Sequence, residues 1–79
     1  MNTRSIAVFT IMCEVESAYP ERVMLGTTTG PVEFIRECID GVARISGDPV
    51  KEVWTNEDGA TIARHEYGTH RIYQAEVVE

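Results

Sequence analysis

The chain has 79 residues, of which 13 are acidic and 7 are basic, and its formal net charge is −6. An acidic surface repels nucleic acid and anionic lipid and attracts basic surfaces, so direct binding to DNA, RNA or an acidic membrane is disfavoured. The length predicts a single domain over residues 1–79, near the lower size limit for a core without a disulfide or metal. No segment approaches the roughly eighteen apolar residues of a membrane span and no leader is recognisable, so we expect a soluble, cytoplasmic protein.

The first predicted element is a strand over residues 5–17, SIAVFTIMCEVES. Its first half is apolar on both faces, which is typical of a central strand, and its second half opens to water at Glu14 and Glu16. The alternating residues of its apolar face are Ala7, Phe9, Ile11, Cys13 and Val15. After a turn at Tyr19 and Pro20, residues 21–27 form either a short returning strand or an irregular connector, and we favour the strand.

A helix follows between Thr29 and Pro49, with signals for both of its ends. Pro31 suits the first helical position, where its missing N–H needs no partner, and Gly30 or Thr29 caps it. Gly47 favours a left-handed end and Pro49 prevents continuation. Gly41 in the interior indicates that another group packs closely there. The apolar stripe consists of Val32, Ile35, Cys38, Ile39, Val42 and Ile45.

The rest of the chain predicts a three-stranded meander over residues 50–56, 60–67 and 70–78. Asp58-Gly59 favours a two-residue type I′ turn, and Gly68-Thr69 fits a type II′ turn. A three-residue loop at residues 57–59 would instead move the first strand to the other face. Two-residue turns give the cross-strand pairs Thr55/Ile62, Val53/Arg64, Lys51/Glu66, Glu66/Arg71, Arg64/Tyr73 and Ile62/Ala75 on one face, and Trp54/Ala63, Glu52/His65, Val50/Tyr67, His65/Ile72 and Tyr67/His70 on the other. The alternating charges of Lys51, Glu66 and Arg71 favour this register.

These elements predict an α+β fold, an antiparallel sheet of four or five strands with one helix on one face, in the order ββαβββ or βαβββ. Neither meander face is polar throughout, so the face without the helix leaves an exposed apolar patch, which commonly marks an interface. Because aromatic residues dominate interface energies, we expect Trp54, Tyr67 and Tyr73 to be interface anchors. The candidate acidic contacts are Glu14, Glu16, Glu57 and Asp58.

The sequence favours no catalytic or metal site. Strand alternation sends His65 and Glu66 to opposite faces, and no third ligand is evident near His65 and His70, so neither a metal nor a cofactor is expected. Cys13 and Cys38 either form a disulfide or remain buried thiols, and we favour the thiols. No positive charge near Cys13 in sequence would activate it. The segment GTTTGP lacks the lysine of a phosphate-binding loop, and the predicted protein is not an enzyme.

In size, acidity and fold class the chain resembles small phage-encoded inhibitors of bacterial defence systems, the anti-CRISPR and anti-restriction proteins. The resemblance lies in overall design and assigns no residue roles. It implies a stoichiometric inhibitor whose partner is a protein complex with a basic nucleic-acid-binding surface, with a homodimer also compatible. The alternative is a homo-oligomeric small-molecule-binding protein or small enzyme, with a site between subunits formed by Trp54, Tyr67, His65 and His70.

Overall fold

The computed structural model describes residues 6–78 and shows a five-stranded antiparallel sheet with one helix packed on one face. The elements are β1 (Phe9–Val15), β2 (Arg22–Thr28), α1 (Pro31–Ser46), β3 (Val50–Thr55), β4 (Thr61–His65) and β5 (His70–Val77). The strand order across the sheet is β2-β1-β5-β4-β3. This confirms the α+β fold in its ββαβββ form, including a strand after the first turn. Ser5, where the first predicted strand begins, lies outside the described residues.

The central position predicted for the first strand is confirmed, because β1 pairs with β2 on one side and β5 on the other. Ile11 and Cys13 on its inner face are buried. The pairing with β2 contains a bulge, where Leu25 is the extra residue between the partners of Ile11 and Met12. At this bulge Gly26 lies so close to the Phe34 ring that a Cβ built on Gly26 would be 2.9 Å from it.

The helix begins and ends where the sequence predicts. Pro31 is its first residue, and Gly47 follows it in the left-handed conformation with φ of 66°. Only the middle of the predicted stripe is covered, since Ile35 and Ile39 are buried whereas Val32 and Ile45 are 76% and 89% exposed. A helix of 16 residues, about 24 Å long, extends past the part of the sheet that it crosses, which leaves both ends of the stripe exposed.

The core lies between α1 and the inner face of the sheet. Its buried members are Ile11, Cys13, Ile35, Ile39, Ala63 and Tyr73, and Phe34, Leu25, Cys38, Val42, Val50 and Ala75 pack around them. His65 is also fully buried there, and its Nδ1 lies 2.6 Å from the backbone oxygen of Asp48. The predicted close approach at Gly41 is wrong, because no atom lies within 4 Å of a Cβ built there.

The predicted two-residue turn between β3 and β4 is wrong. The Asn56 N–H donates to the Ala60 oxygen at 2.9 Å, which encloses a three-residue loop over residues 57–59. Gly59 adopts φ of 82° at the third loop position, and the Asn56 side-chain oxygen accepts the N–H groups of Asp58 and Ala60. A type I turn closed by a left-handed glycine is the common geometry for such a loop. Trp54 consequently faces Ile62 rather than Ala63.

The second hairpin shows the same deviation. The His65 N–H donates to the Thr69 oxygen at 2.9 Å, so the loop spans residues 66–68, with Gly68 at φ of 80°. The Glu66/Arg71, Arg64/Tyr73 and Ile62/Ala75 pairs are wrong, since the observed partners are Arg64/His70, Ala63/Arg71, Ile62/Ile72 and Thr61/Tyr73. Lys51 still reaches Glu66 at 3.6 Å, but Glu66 lies in the loop and Arg71 on the inner face, so the three residues form no ladder.

Candidate protein-binding surface

The sheet face opposite α1 carries no covering element within residues 6–78, and we call it the open face. Strand alternation and the observed registers place its residues, because Ile11, Cys13, Ala63 and Tyr73 point into the core and their neighbours point away. Its apolar residues are Met12, Met24, Trp54, Ile62 and Ile72. Its polar and charged residues on the strands are Thr10, Glu14, Arg22, Thr27, Glu52, Arg64, His70, Gln74 and Glu76.

An apolar row crosses three strands of the open face. Trp54 on β3 lies opposite Ile62 on β4, which lies opposite Ile72 on β5. Trp54 is 37% exposed. Its indole meets the His70 ring edge to face, with ring centroids 5.9 Å apart and planes at 78°. This contact fixes the indole on the sheet and leaves part of it accessible to a partner.

The charges of the open face are partly neutralised within it. Arg64 contacts the Glu52 carboxylate at 3.4 Å, and Arg22 forms an ion pair with Glu76. Glu14 has no basic partner within 4.0 Å in the part of the chain that the structure describes. Glu16, at the end of β1, has only His70 at 3.9 Å, which is a charge pair only when the imidazole is protonated. The arginine ion pairs therefore leave the charges of Glu14 and Glu16 available.

The three predicted aromatic anchors occupy different environments. Trp54 lies on the open face, while Tyr67 is 75% exposed in the loop between β4 and β5, where its N–H donates to the Asp48 carboxylate at 3.2 Å. Tyr73 has no exposed surface because its side chain lies in the core between β5 and α1. The prediction that Tyr73 is an interface anchor is wrong, because a partner could reach this side chain only if the core opened.

The four predicted acidic contacts fall into two pairs. Glu14 and Glu16 lie at one end of the open face, beside the start of β5. Glu57 and Asp58 are exposed in the loop before β4, at the opposite end of that strand. A strand of five residues separates the pairs by about 16 Å. The structure thus brings Trp54, His70 and Glu16 together and leaves the hairpin carboxylates apart.

His70 is the contributor to this surface that the sequence interpretation missed. The sequence suggests His70 as a metal ligand or as part of a site between subunits, whereas the structure places it between Trp54 and Glu16. A three-residue loop ending in Gly68 would have predicted its position, because that loop puts His70 on the same face as Ile62 and Ile72. Of the four residues of the alternative site between subunits, His65 is buried beneath the helix and unavailable to a second subunit.

The geometry gives little support to a metal site, a reactive thiol or a phosphate site. No group of three or more His, Cys, Asp or Glu side chains is arranged to hold a metal among residues 6–78. Both cysteines are free, and burial raises the pKa of the Cys13 thiol although Arg71 opposes the change. A cavity at the start of α1 is lined by Glu33 and Glu37, whose carboxylates disfavour a phosphate there. The described part of the chain contains no helix of sufficient length and apolarity to cross a membrane.

Comparison with known proteins finds no matching family model, no similar curated protein and no similar solved structure.

Proposed function

We propose that this chain is a non-catalytic interaction protein that binds a basic protein surface through its open face. The observation that carries the proposal is the combination, on one accessible sheet face, of the Trp54–Ile62–Ile72 row with the unneutralised Glu14. Apolar residues flanked by charges are the composition of a docking surface, with the aromatic residue as the expected energetic centre.

The acidic character points to a particular class of partner. Carboxylates at the edge of an apolar row complement lysine and arginine side chains, which line surfaces that bind nucleic acid. A protein that occupies such a surface displaces the nucleic acid by competing for the same cations. We therefore propose a stoichiometric inhibitor of a bacterial nucleic-acid-handling defence complex, the role taken by anti-CRISPR proteins.

The test is an affinity capture from bacterial lysate at low and high salt, followed by competition with nucleic acid. We expect the wild-type chain to capture a nucleic-acid-binding complex that salt or added nucleic acid releases. Trp54→Ala should weaken capture by about 2 kcal/mol or more, because it removes the anchor of the row. Val53→Ala is the matched control, since Val53 is the neighbouring residue and points to the opposite face.

Three outcomes would contradict the proposal. The first is equal binding by Trp54→Ala and the wild-type chain while the variant remains folded. The second is a captured complex that nucleic acid does not displace. The third is a stable homo-oligomer that captures no partner and co-purifies with a small molecule, which would support the alternative protein with a ligand site between subunits.

A further inference from the structure

On the helix side of the sheet, a cavity of about 170 Å³ lies between β1, β2, β5 and the second half of α1. Four aliphatic side chains form most of its wall, and one thiol, one carboxylate and one guanidinium complete it. The lining residues are Val15, Val23, Leu25, Val42, Cys13, Glu21 and Arg71. The cavity is separated from the open face by the sheet itself.

Arg71 is the unusual member of this wall. On β5 it lies two residues before Tyr73 and four before Ala75, so all three side chains point to the core face of the sheet. Its neighbours on the adjacent strands are Val15 and Ala63. Its Nε is buried without a hydrogen-bond acceptor, and no carboxylate among residues 6–78 lies within 4.0 Å of the guanidinium. Buried charges are normally paired, because an unpaired one loses hydration without compensation. Arg71 therefore lacks the carboxylate partner that a buried guanidinium normally has.

The neighbours of Arg71 do not supply the missing charge. Burial raises the pKa of Cys13, so its thiol is neutral at physiological pH and offers only a weak acceptor. Glu21 lines the same cavity but stays more than 4.0 Å from the guanidinium nitrogens. An anion that enters the cavity would meet the unpaired positive charge of Arg71 and aliphatic surface on Val15, Val23, Leu25 and Val42.

We propose that this cavity binds a small organic carboxylate with a short aliphatic chain. The planar guanidinium of Arg71, which lines the cavity, has the shape and charge that match a carboxylate. The aliphatic wall takes the alkyl chain. The volume is below the roughly 300 Å³ at which pockets accept drug-sized ligands, so the ligand is small. This site is independent of the proposed inhibitor role, because it lies on the other side of the sheet.

The direct test is an NMR titration of the full chain with hexanoate, with hexanamide as the neutral analogue of the same length. We expect saturable shifts for the amides of Val15, Val23, Leu25 and Val42 and for the Arg71 Nε–H signal with hexanoate. Hexanamide should bind about tenfold more weakly or not at all, because it lacks the charge that pairs with the guanidinium.

Three variants locate the binding. Arg71→Gln should weaken hexanoate binding by about tenfold or more, whereas Arg64→Gln, which changes an arginine of the open face, should leave it unchanged. Glu21→Gln should strengthen binding, because it removes a like charge from the cavity wall. If Arg71→Gln does not fold, the comparison of hexanoate with hexanamide on the wild-type chain decides alone.

The proposal is overturned by any of three results. Hexanoate and hexanamide could bind with equal affinity, hexanoate could produce no saturable shift, or a folded Arg71→Gln chain could bind hexanoate as tightly as wild type. An absent response together with an Arg71–Glu21 ion pair in solution would show that the cavity closes on its own carboxylate.

Discussion

Three buried side-chain atoms lack a hydrogen-bond partner over the range that the structure describes: His65 Nε2, Arg71 Nε and Tyr73 Oη. The other ring nitrogen of His65, Nδ1, lies 2.6 Å from the Asp48 backbone oxygen. This contact fixes the orientation of the imidazole although Nε2 is unpaired. Tyr73 differs, because its ring fills the core while its hydroxyl contributes no bond. Each unpaired polar atom loses hydration without compensation, so these three atoms lower the free energy of unfolding.

Two substitutions of Tyr73 therefore separate the contribution of its ring packing to stability from that of its hydroxyl. Tyr73→Phe keeps the ring and removes an unpaired hydroxyl, so we expect a free energy of unfolding equal to or above that of wild type. Tyr73→Ala removes the ring and should cost about 3 to 5 kcal/mol. Urea unfolding followed by tryptophan fluorescence measures both. A loss of more than about 1 kcal/mol in Tyr73→Phe would mean that the hydroxyl is hydrogen-bonded, with Cys13 as the nearest candidate.

Three groups of the core, the thiols of Cys13 and Cys38 and the hydroxyl of Tyr73, predict a loss of stability at alkaline pH. Burial raises the pKa of Cys13 above its ordinary 9.0, and burial together with Glu37 raises that of Cys38. Burial and the neighbouring Cys13 likewise raise the pKa of Tyr73 above 10.0. A raised folded pKa means that the folded state holds its proton more tightly. Stability is then complete below the unfolded pKa and falls as pH rises through the folded one, by at most about 1.4 kcal/mol per pH unit for each group.

The check for this pH dependence is urea unfolding at a series of pH values from neutral to alkaline. Cys13→Ala should reduce the slope that begins near the ordinary thiol pKa of 9.0, whatever its effect on absolute stability. Glu57→Gln serves as the control, because it changes an exposed side chain in the hairpin loop and leaves both thiols in place. An unchanged slope in Cys13→Ala would show that other groups cause the alkaline loss.

At the scale of elements, the sequence predicted the parts whose signals are local and missed those that depend on register. Pro31 and Gly47 marked the helix ends, and the alternation around Ile11 marked the central strand. The hairpin registers were wrong because Gly59 and Gly68 occupy the third loop position, a choice that dipeptide patterns do not resolve. That one-residue difference exchanges the faces of neighbouring strands relative to each other. Tyr73 was wrong for another reason, because the sequence left open which sheet face the helix covers and the helix covers the face that carries Tyr73.

Two glycines, Gly41 inside α1 and Gly26 in β2, test the packing of α1 in opposite directions. Gly41→Ala should stabilise the protein by about 0.5 to 1 kcal/mol, because alanine favours the helix and no atom lies within 4 Å of the new Cβ. Gly26→Ala should destabilise it by about 1 kcal/mol or more, since its Cβ would meet the Phe34 ring. Thermal or urea unfolding measures both.

A double variant identifies the cause of the loss at Gly26. Gly26→Ala combined with Phe34→Leu should cost less than the sum of the single changes, because the smaller side chain makes room for the new Cβ. Additive losses would mean that Gly26 is needed for the backbone of the bulge rather than for its contact with Phe34. Destabilisation by Gly41→Ala would restore the original expectation of a close approach at that position.

At the scale of the whole molecule, charge and shape are distributed unevenly. The described chain is elongated, with extents of 53 × 23 × 21 Å, and β2 and β3 form the two edges of the sheet. Lys51 and Glu52 on β3 place charges on one edge, which disfavours pairing with another sheet. The open face is the broad surface at which we propose that a partner binds, and Glu14 and Glu16 lie on it where β1 ends.

This distribution predicts that the position of the charge, rather than the net charge of −6, guides association. Glu14→Gln/Glu16→Gln removes two charges from the open face, and Glu33→Gln/Glu37→Gln removes two from the exposed side of α1. The first should slow association with the captured basic complex by about tenfold at low salt, because carboxylates at the contact steer the encounter. The second should change it much less.

Association kinetics at two ionic strengths check this prediction. The difference between the two double variants should shrink at high salt, where charges more than about 8 Å apart are screened, while dissociation rates change little. The Glu33→Gln/Glu37→Gln double variant is a stringent control, because it changes the net charge by the same amount and its substitutions lie on the helix side of the sheet. An equal slowing by both variants would show that diffuse charge attracts the partner, and a larger effect of the helix pair would place the interface on α1.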